Sequence, residues 1–149
     1  LPGGESTTVG LLLERYGLGE AIRRAAQDGM PMWGTCMGMI LLATEVEGRE
    51  QYTLGLLDVT VRRNAFGAQV HSFEDTVDMA GFDPPLLGVF IRAPIVVRTG
   101  PGVEVLGTYR DAVVAVRQGT LLGTSFHPEL TEDRRLHQWF ASLDSPLPR

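Results

Sequence analysis

The first third of the chain has apolar side chains at helical spacing, interrupted by one short apolar run. Apolar residues three and four positions apart predict a first helix that ends at Gly17. The stripe comprises Val9, Leu12, Leu13 and Tyr16, and the candidate N-caps are Ser6, Thr7 and Thr8. A second helix is predicted over 18–28, a strand over 30–33 that Gly34 ends, and a third helix over 39–45. This part of the chain is therefore predicted to be α/β.

After residue 56 the period shortens toward two, which is typical of strands. Strands are predicted over 57–63, 88–91, 103–106, 112–117 and 120–126, with turns at 109–111 and 118–119 joining the last three as hairpins. A final helix is predicted to begin near Thr131, which can cap it, and to dock through Leu136, Phe140 and Leu143. We expect one domain over 1–149, with a three-layer α/β/α fold of the flavodoxin-like kind, a mostly parallel central sheet and a β-rich edge.

Composition narrows the possible functions. The chain has 149 residues and a formal net charge of −5, and all 13 basic residues are arginine. Without lysine there is no Schiff-base lysine and no P-loop lysine, and without a basic stripe a nucleic-acid partner is not expected. Cys36 is the single cysteine, which excludes an internal disulfide and a multi-cysteine zinc site. The apolar runs are too short for a membrane span and no secretory leader is recognisable, so we expect a cytoplasmic protein.

Cys36 lies in the most informative motif, Gly34-Thr35-Cys36-Met37-Gly38, between a predicted strand and a predicted helix. A sharp strand-to-helix turn lifts a nucleophile out of the sheet, and flanking glycines permit close backbone approach. The positive end of a helix dipole also favours the thiolate over the thiol. The alternative is that Cys36 is one more small buried apolar side chain, as free cysteines commonly are.

A second motif, Ser125-Phe126-His127-Pro128-Glu129, follows a predicted strand near the end of the chain. Residues i and i+2 of an extended segment point to the same side, so Glu129 can hold the imidazole of His127 in one tautomer. On its own the motif is more typical of a surface turn with a solvated glutamate. A cysteine elbow combined with His-x-Glu, however, matches the Cys-His-carboxylate arrangement of nucleophilic catalysis.

A third segment, Pro2-Gly3-Gly4-Glu5-Ser6, is a glycine turn that leads into the first helix. Backbone N–H groups exposed near a helix N-terminus suit a developing oxyanion or a carboxylate. The same string can also serve only as a helix cap, so by itself it is a weak signal.

Together the three segments resemble the triad-type, class I glutamine amidotransferases, and more closely the glutaminase subunits of pyridoxal 5′-phosphate synthase, the PdxT/SNO family. The strings that carry the resemblance are LPGGESTT, GTCMG, RRNAFGAQVHSFE, GVFIRAP and SFHPELTEDRRLHQWF. The resemblance implies hydrolysis of L-glutamine to L-glutamate and ammonia, with the ammonia passed to a separate synthase subunit of the PdxS type. It implies no cofactor and no metal.

The resemblance also implies individual roles. Cys36 would attack the carboxamide carbon of glutamine, His127 would shuttle protons, and Glu129 would orient His127. Backbone N–H groups of Gly4 and Met37 would form the oxyanion hole. Glutamine would be bound by Gly4, Glu5, Ser6, Arg63, Ile91 and Arg92.

The sequence departs from the family at several points. Family members have a further N-terminal portion, beginning with a strand, that precedes the part matched here. Met37 stands where alanine is more common, Ala68 replaces an arginine, and His71 replaces an acidic residue. Three alternatives remain open: a glutaminase that serves another synthase, a hydrolase of γ-glutamyl peptides, and a non-catalytic binding or regulatory homologue.

Overall fold

The structure is a computed structural model that describes residues 1–67 and 71–144. Its helices are α1 (Ser6–Arg15), α2 (Leu18–Gln27), α3 (Met37–Leu42) and α4 (Arg135–Ala141). Its strands are β1 (Met32–Thr35), β2 (Ala43–Val46), β3 (Leu57–Arg62), β4 (Ser72–Met79), β5 (Leu86–Ile91), β6 (Ile95–Thr99), β7 (Glu104–Tyr109), β8 (Ala112–Gln118) and β9 (Leu121–Thr124). Short 3₁₀ helices cover Pro128–Leu130 and Ser142–Asp144. Ala68, one of the departures from the family, lies outside the described residues.

Helix α1 has a different N-cap from the predicted ones. Glu5 caps it, and the carboxylate accepts hydrogen bonds from the main-chain N–H groups of Thr7 at 3.1 Å and Thr8 at 2.7 Å. Ser6, Thr7 and Thr8 all lie inside the helix, so the predicted caps are wrong. The physical reason is that one carboxylate, with two oxygens, satisfies two of the free N–H groups of the first turn at once.

The predicted apolar stripe of α1 is only partly buried. Leu13 lies in the core and Val9 packs at its margin, whereas Leu12 and Tyr16 are largely exposed. The end of the helix agrees with the prediction, because Gly17 adopts the left-handed conformation directly after it.

Element boundaries around the cysteine motif differ from the predicted ones. Strand β1 runs to Thr35 and contains Gly34, which was expected to end it. Helix α3 is fully buried, and the chain passes directly from it into β2 at Ala43. The helix predicted over 39–45 therefore begins and ends too late in the sequence. Parallel pairing of β2 with β3 supplies the backbone hydrogen bonds there and overrides local helix preference.

The expectation of a mostly parallel, flavodoxin-like sheet is wrong. Within the described residues, two strand pairs are parallel, β1 with β9 and β2 with β3, and six are antiparallel. The main path is β2-β3-β6-β8-β7-β4-β5, with β9 beside β8 and β1 beside β9. The reason lies in the second half of the chain, because short turns join antiparallel strands whereas parallel pairs need a long crossover. The fold is still α/β, but with short helices against a mixed, mostly antiparallel sheet.

Both predicted hairpins of the second half, β7 with β8 and β8 with β9, are confirmed. Helix α4 begins at Arg135, later than predicted. The Thr131 hydroxyl does not cap it but donates to the Pro128 carbonyl at 3.0 Å, and Asp133 accepts the Arg135 main-chain N–H at 3.0 Å instead. As expected, Leu136 is buried.

Two large apolar clusters, together with a small one of Leu13, Met37 and Leu41, form the core of the described residues. One gathers side chains of α3, β2 and β3, and the other gathers those of β4, β5, β8 and α4. Phe90 and Phe126, both fully buried, lie in the second cluster with ring centroids 5.8 Å apart. Across 1–67 and 71–144, no helix is both long enough and apolar enough to span a membrane.

Candidate functional site

The parallel pair β1–β9 brings the cysteine and histidine motifs to one edge of the sheet. Thr35, the last residue of β1, lies opposite Thr124, the last residue of β9. The Cys36 main-chain N–H donates to the Thr124 carbonyl at 2.7 Å. Residues that follow parallel strands leave the sheet at the same edge, so the turns that carry Cys36 and His127 emerge side by side.

One cavity at this edge collects almost every residue that the sequence singled out. Its volume is about 280 Å³. It is lined by Gly4, Glu5, Ser6, Cys36, Met37, Ile40, Arg63, Asn64, Ile91, Arg92 and His127. Residues expected for nucleophile, oxyanion hole and glutamine binding thus share one cavity, and Glu129 contacts the histidine from outside it. Ile40 and Asn64 also line it and were not expected.

His127 is held between Glu129 and the glycine turn. Its Nδ1 lies 2.7 Å from Oε1 of Glu129. Because a carboxylate can only accept, this contact places the proton of a neutral imidazole on Nδ1 and leaves Nε2 as the free base. The predicted contact is present, but the extended geometry behind the prediction is wrong, since Pro128–Leu130 is a 3₁₀ turn.

Gly3 lies directly against the imidazole. A Cβ atom at this position would come within 2.4 Å of Cε1 of His127, far inside van der Waals contact. Only glycine therefore allows the turn to approach the ring this closely. The glycine turn and the histidine form one packed unit, although 124 positions separate Gly3 from His127 in the sequence.

Cys36 is strained and buried. It has φ 51 and ψ −106, an unfavourable region for a residue with a side chain, and is 7% exposed. Its Sγ lies 3.7 Å from the Ile91 carbonyl oxygen, to which the thiol donates. This sharp conformation between a strand and a helix agrees with the predicted elbow.

The expected bias toward thiolate is not found. Burial raises the pKa of the Cys36 thiol above its ordinary value, and the negative charge of Glu129 raises it further. A hydrogen bond from the Met37 main-chain N–H to the sulfur lowers the pKa but does not outweigh burial. At neutral pH the thiol of the free chain is therefore protonated, and forming the thiolate requires a base.

A cluster of polar groups forms the opposite wall of the cavity. Arg63 pairs with Glu5 at 3.3 Å and donates to the Thr7 hydroxyl at 3.2 Å. Hydrogen bonds from Thr8 and from the Thr7 main chain lower the pKa of Glu5 to about 2, so the carboxylate is anionic at neutral pH. The Glu5 carboxylate therefore caps α1 and also pairs with Arg63.

Sequence reasoning missed one residue that supports this wall from behind. Gln51 donates through Nε2 to the Ser6 hydroxyl at 3.1 Å and accepts from Arg63 at Oε1, also at 3.1 Å. It lies in the irregular segment between β2 and β3. A single glutamine in a loop has no recognisable pattern, so no signal in the sequence could have found it.

Two other arginines lie away from this wall. Arg62 is exposed and pairs with Glu47. Arg135 pairs with Asp133 and donates to the Pro84 carbonyl at 2.7 Å. Within the residues described by the structure, no group of three histidine, cysteine or acidic side chains is placed to hold a metal ion.

Comparisons with known proteins agree on one family. The profile of the SNO glutamine amidotransferase family matches residues 1–143. The chain is 54% identical over 143 residues to "Pyridoxal 5′-phosphate synthase subunit PdxT" of Geobacillus kaustophilus (strain HTA426), covering 96% of this chain and 73% of the relative. It is 56% identical over 151 residues to the protein of the same name from Salinispora tropica, covering 96% and 75%. A solved structure described as "Crystal structure of glutamine amidotransferase" superposes with a TM-score of 0.90 at 51% identity, covering 96% of this chain and 76% of the other.

Proposed function

The chain belongs to the SNO glutamine amidotransferase family, and we propose that it is the glutaminase subunit of a pyridoxal 5′-phosphate synthase. In this role it hydrolyses L-glutamine to L-glutamate and ammonia. The observation that carries the proposal is that Cys36 and His127 line one cavity, with Nδ1 of His127 already occupied by Glu129. That arrangement supplies a nucleophile and a base of defined tautomer.

The proposed reaction uses the sulfur and the imidazole in two stages. His127 Nε2 takes the Cys36 proton as the sulfur attacks the carboxamide carbon of glutamine, and the resulting oxyanion is stabilised by the main-chain N–H groups of Gly4 and Met37. The imidazolium then gives its proton to the leaving nitrogen, which departs as ammonia and leaves a glutamyl thioester. Water, deprotonated by His127, attacks the thioester, glutamate is released and the thiol is restored.

Glu129 acts on the reaction through His127. An anionic carboxylate 2.7 Å from Nδ1 stabilises the imidazolium that forms when the thiol loses its proton. This matters here because burial raises the pKa of the Cys36 thiol. The proton transfer therefore depends on a histidine whose charged form is stabilised.

The amino-acid end of glutamine is assigned to the polar wall of the cavity. We propose that Gly4, Glu5, Ser6, Arg63, Ile91 and Arg92 bind the substrate. Arg63 is suited to the α-carboxylate, because a guanidinium can form two parallel hydrogen bonds to a carboxylate. A cavity of about 280 Å³ lies at the small end of the range for ligand pockets, which suits a small substrate.

The partner in this proposal is a synthase subunit that consumes the ammonia. The relatives are named as subunits of pyridoxal 5′-phosphate synthase, which implies a second component. We further propose that docking of the synthase makes the Gly3-Gly4 turn productive, because a glutaminase active alone would waste glutamine.

The proposal is tested by ammonia release from glutamine with and without a synthase subunit of the PdxS type. We expect sustained release only in the mixture, and none from Cys36→Ala. A covalent glutamine-analogue electrophile, diazo-oxo-norleucine, should add one adduct at Cys36 in the mixture. Absence of labelling there would favour a non-catalytic homologue, and turnover of γ-glutamyl peptides by the chain alone would favour a peptide hydrolase.

A further inference from the structure

We propose that Gln51 is a positioning residue that orients Ser6 and Arg63 toward the amino-acid end of the substrate. This inference rests on the proposed glutaminase function. The side-chain amide of Gln51 bridges the two groups, with 3.1 Å between Nε2 and the Ser6 oxygen and 3.1 Å between Oε1 and Arg63. Ser6 and Arg63 line the cavity, whereas Gln51 lies behind them and does not.

The direction of this bridge is fixed by chemistry. A guanidinium carries only donors, so the group of Gln51 that faces Arg63 has to be the carbonyl oxygen. The amino end of the amide then faces Ser6 and can only donate. The orientation of the amide is therefore determined by the partner at one end.

This direction determines what Ser6 can offer to a ligand. The Ser6 oxygen accepts the hydrogen bond from Gln51, so the hydroxyl proton is free to point elsewhere. Ser6 is 1% exposed and lines the cavity. An O–H group and a guanidinium that converge on one cavity wall favour a bound carboxylate, which accepts from both.

The backbone around Gln51 is clamped so that the amide stays in place. Tyr52 packs against Gly10 and Gly19. A Cβ added at Gly10 would come within 3.2 Å of the Tyr52 carbonyl oxygen, and one added at Gly19 would come within 1.8 Å of the Tyr52 hydroxyl oxygen. Arg23 donates to the carbonyls of Thr53 at 3.1 Å and Leu54 at 2.9 Å. The segment that directly follows the glutamine is thus fixed to α1 and α2.

Loss of the amide should affect recognition of the amino acid more than bond cleavage. In Gln51→Leu, the Ser6 hydroxyl loses its directing donor and Arg63 loses one of its three protein acceptors, Glu5, Thr7 and Gln51. Among the described residues, the hydrogen bonds of the Gln51 side chain go to Ser6 and Arg63, and none goes to Cys36 or His127. We therefore expect KM for glutamine to rise about tenfold or more, the effect of one lost hydrogen bond of typical strength, with kcat changed less than threefold.

The decisive test compares two alkylating reagents on Cys36 in the presence of the synthase subunit. Diazo-oxo-norleucine carries the α-amino and α-carboxylate groups of glutamine, whereas iodoacetamide does not. Gln51→Leu should slow labelling by the first reagent about tenfold and leave the rate with iodoacetamide within twofold of the wild type. Thr53→Val is the matched control, because Thr53 enters hydrogen bonding through its carbonyl, and it should resemble the wild type with both reagents.

The outcomes separate this inference from the proposed function. If Gln51→Leu slowed labelling equally with both reagents, Gln51 would only support the fold. If it left both labelling rates unchanged, Gln51 would have no role. Either result overturns the inference. If the wild type with synthase released no ammonia and took up no diazo-oxo-norleucine, the glutaminase proposal itself would fail. Wild-type turnover combined with either unfavourable result for Gln51→Leu leaves the proposed function intact.

Discussion

Replacing Gly3 by alanine tests whether the glycine turn sets the position of the His127 imidazole, the proposed base. The Cβ of Gly3→Ala would lie 2.4 Å from Cε1 of His127, and 3.3 and 3.4 Å from its two ring nitrogens. The φ of Gly3 is outside the left-handed region, so alanine fits the local backbone and the perturbation acts through the ring.

The size of the effect follows from this overlap. Carbon atoms in contact lie about 3.6 Å apart, so the ring has to retreat by roughly 1.2 Å. Such a movement displaces Nδ1 from its 2.7 Å contact with Glu129 and shifts Nε2 from its position in the cavity. A displacement of about 1 Å in a catalytic group costs on the order of 100-fold in rate, equivalent to about 2.7 kcal/mol.

The assay is steady-state glutamine hydrolysis in the presence of the synthase subunit, with urea unfolding measured in parallel. We expect kcat to fall about 100-fold while the free energy of unfolding changes by less than about 2 kcal/mol, because the clash falls on one side chain at the edge of the core. Pro2→Ala alters the same turn without placing an atom against the ring and should keep kcat near the wild-type value. A Gly3→Ala variant that keeps kcat within threefold of the wild type would refute the coupling between this turn and His127.

Three further predictions follow from the site and its supports. Burial and Glu129 both raise the pKa of the Cys36 thiol. The rate of iodoacetamide labelling of the free chain should therefore rise with pH through an inflection above that of an ordinary thiol. Glu129→Gln should move this inflection to lower pH. The pKa of Glu5 is about 2 in the folded state, below its ordinary 4.5. The stability that the cap contributes is therefore present above pH 4.5 and lost as the pH falls toward 2. Urea unfolding across this window should show the loss, and Glu5→Gln should make the free energy of unfolding depend less on pH there. Gly19→Ala places a methyl group against the Tyr52 hydroxyl, so it should lower the thermal midpoint of unfolding and raise KM for glutamine. Adding Tyr52→Phe to this variant removes the hydroxyl and should partly restore both the midpoint and KM.

The meeting of Cys36, His127 and Glu129 at one edge of the sheet was predictable because these residues lie in short, recognisable strings. Gly-x-Cys-x-Gly and His-x-Glu each place a reactive group and its support within three residues, and local sequence can specify that much. The ionisation state of Cys36 was not predictable in this way. It depends on burial of the α3 turn by the surrounding fold, and desolvation there exceeds the favourable contribution of the Met37 N–H.

The strands that were missed show where local pattern fails. β4 is largely exposed and polar, so it has little apolar alternation, and its pairing with β5 is what makes it a strand. β2 follows α3 without a turn residue and becomes a strand through its pairing with β3. The parallel or antiparallel sense of the sheet depends on how distant segments pair, which apolar spacing along the chain does not encode.

The site is built from two halves with separate supports, and this separation has a functional consequence. Thr124 links the turns that follow β1 and β9, because its carbonyl accepts the Cys36 N–H at 2.7 Å and its hydroxyl accepts the Trp33 indole N–H at 3.0 Å. The polar wall depends instead on α1, the end of β3 and the loop that carries Gln51. Under the proposed function, damage to the strand pair should therefore lower kcat and damage to the loop should raise KM. The reason is that the proposed nucleophile and base are supported by the strand pair, whereas the proposed amino-acid binding groups are supported by α1 and the loop.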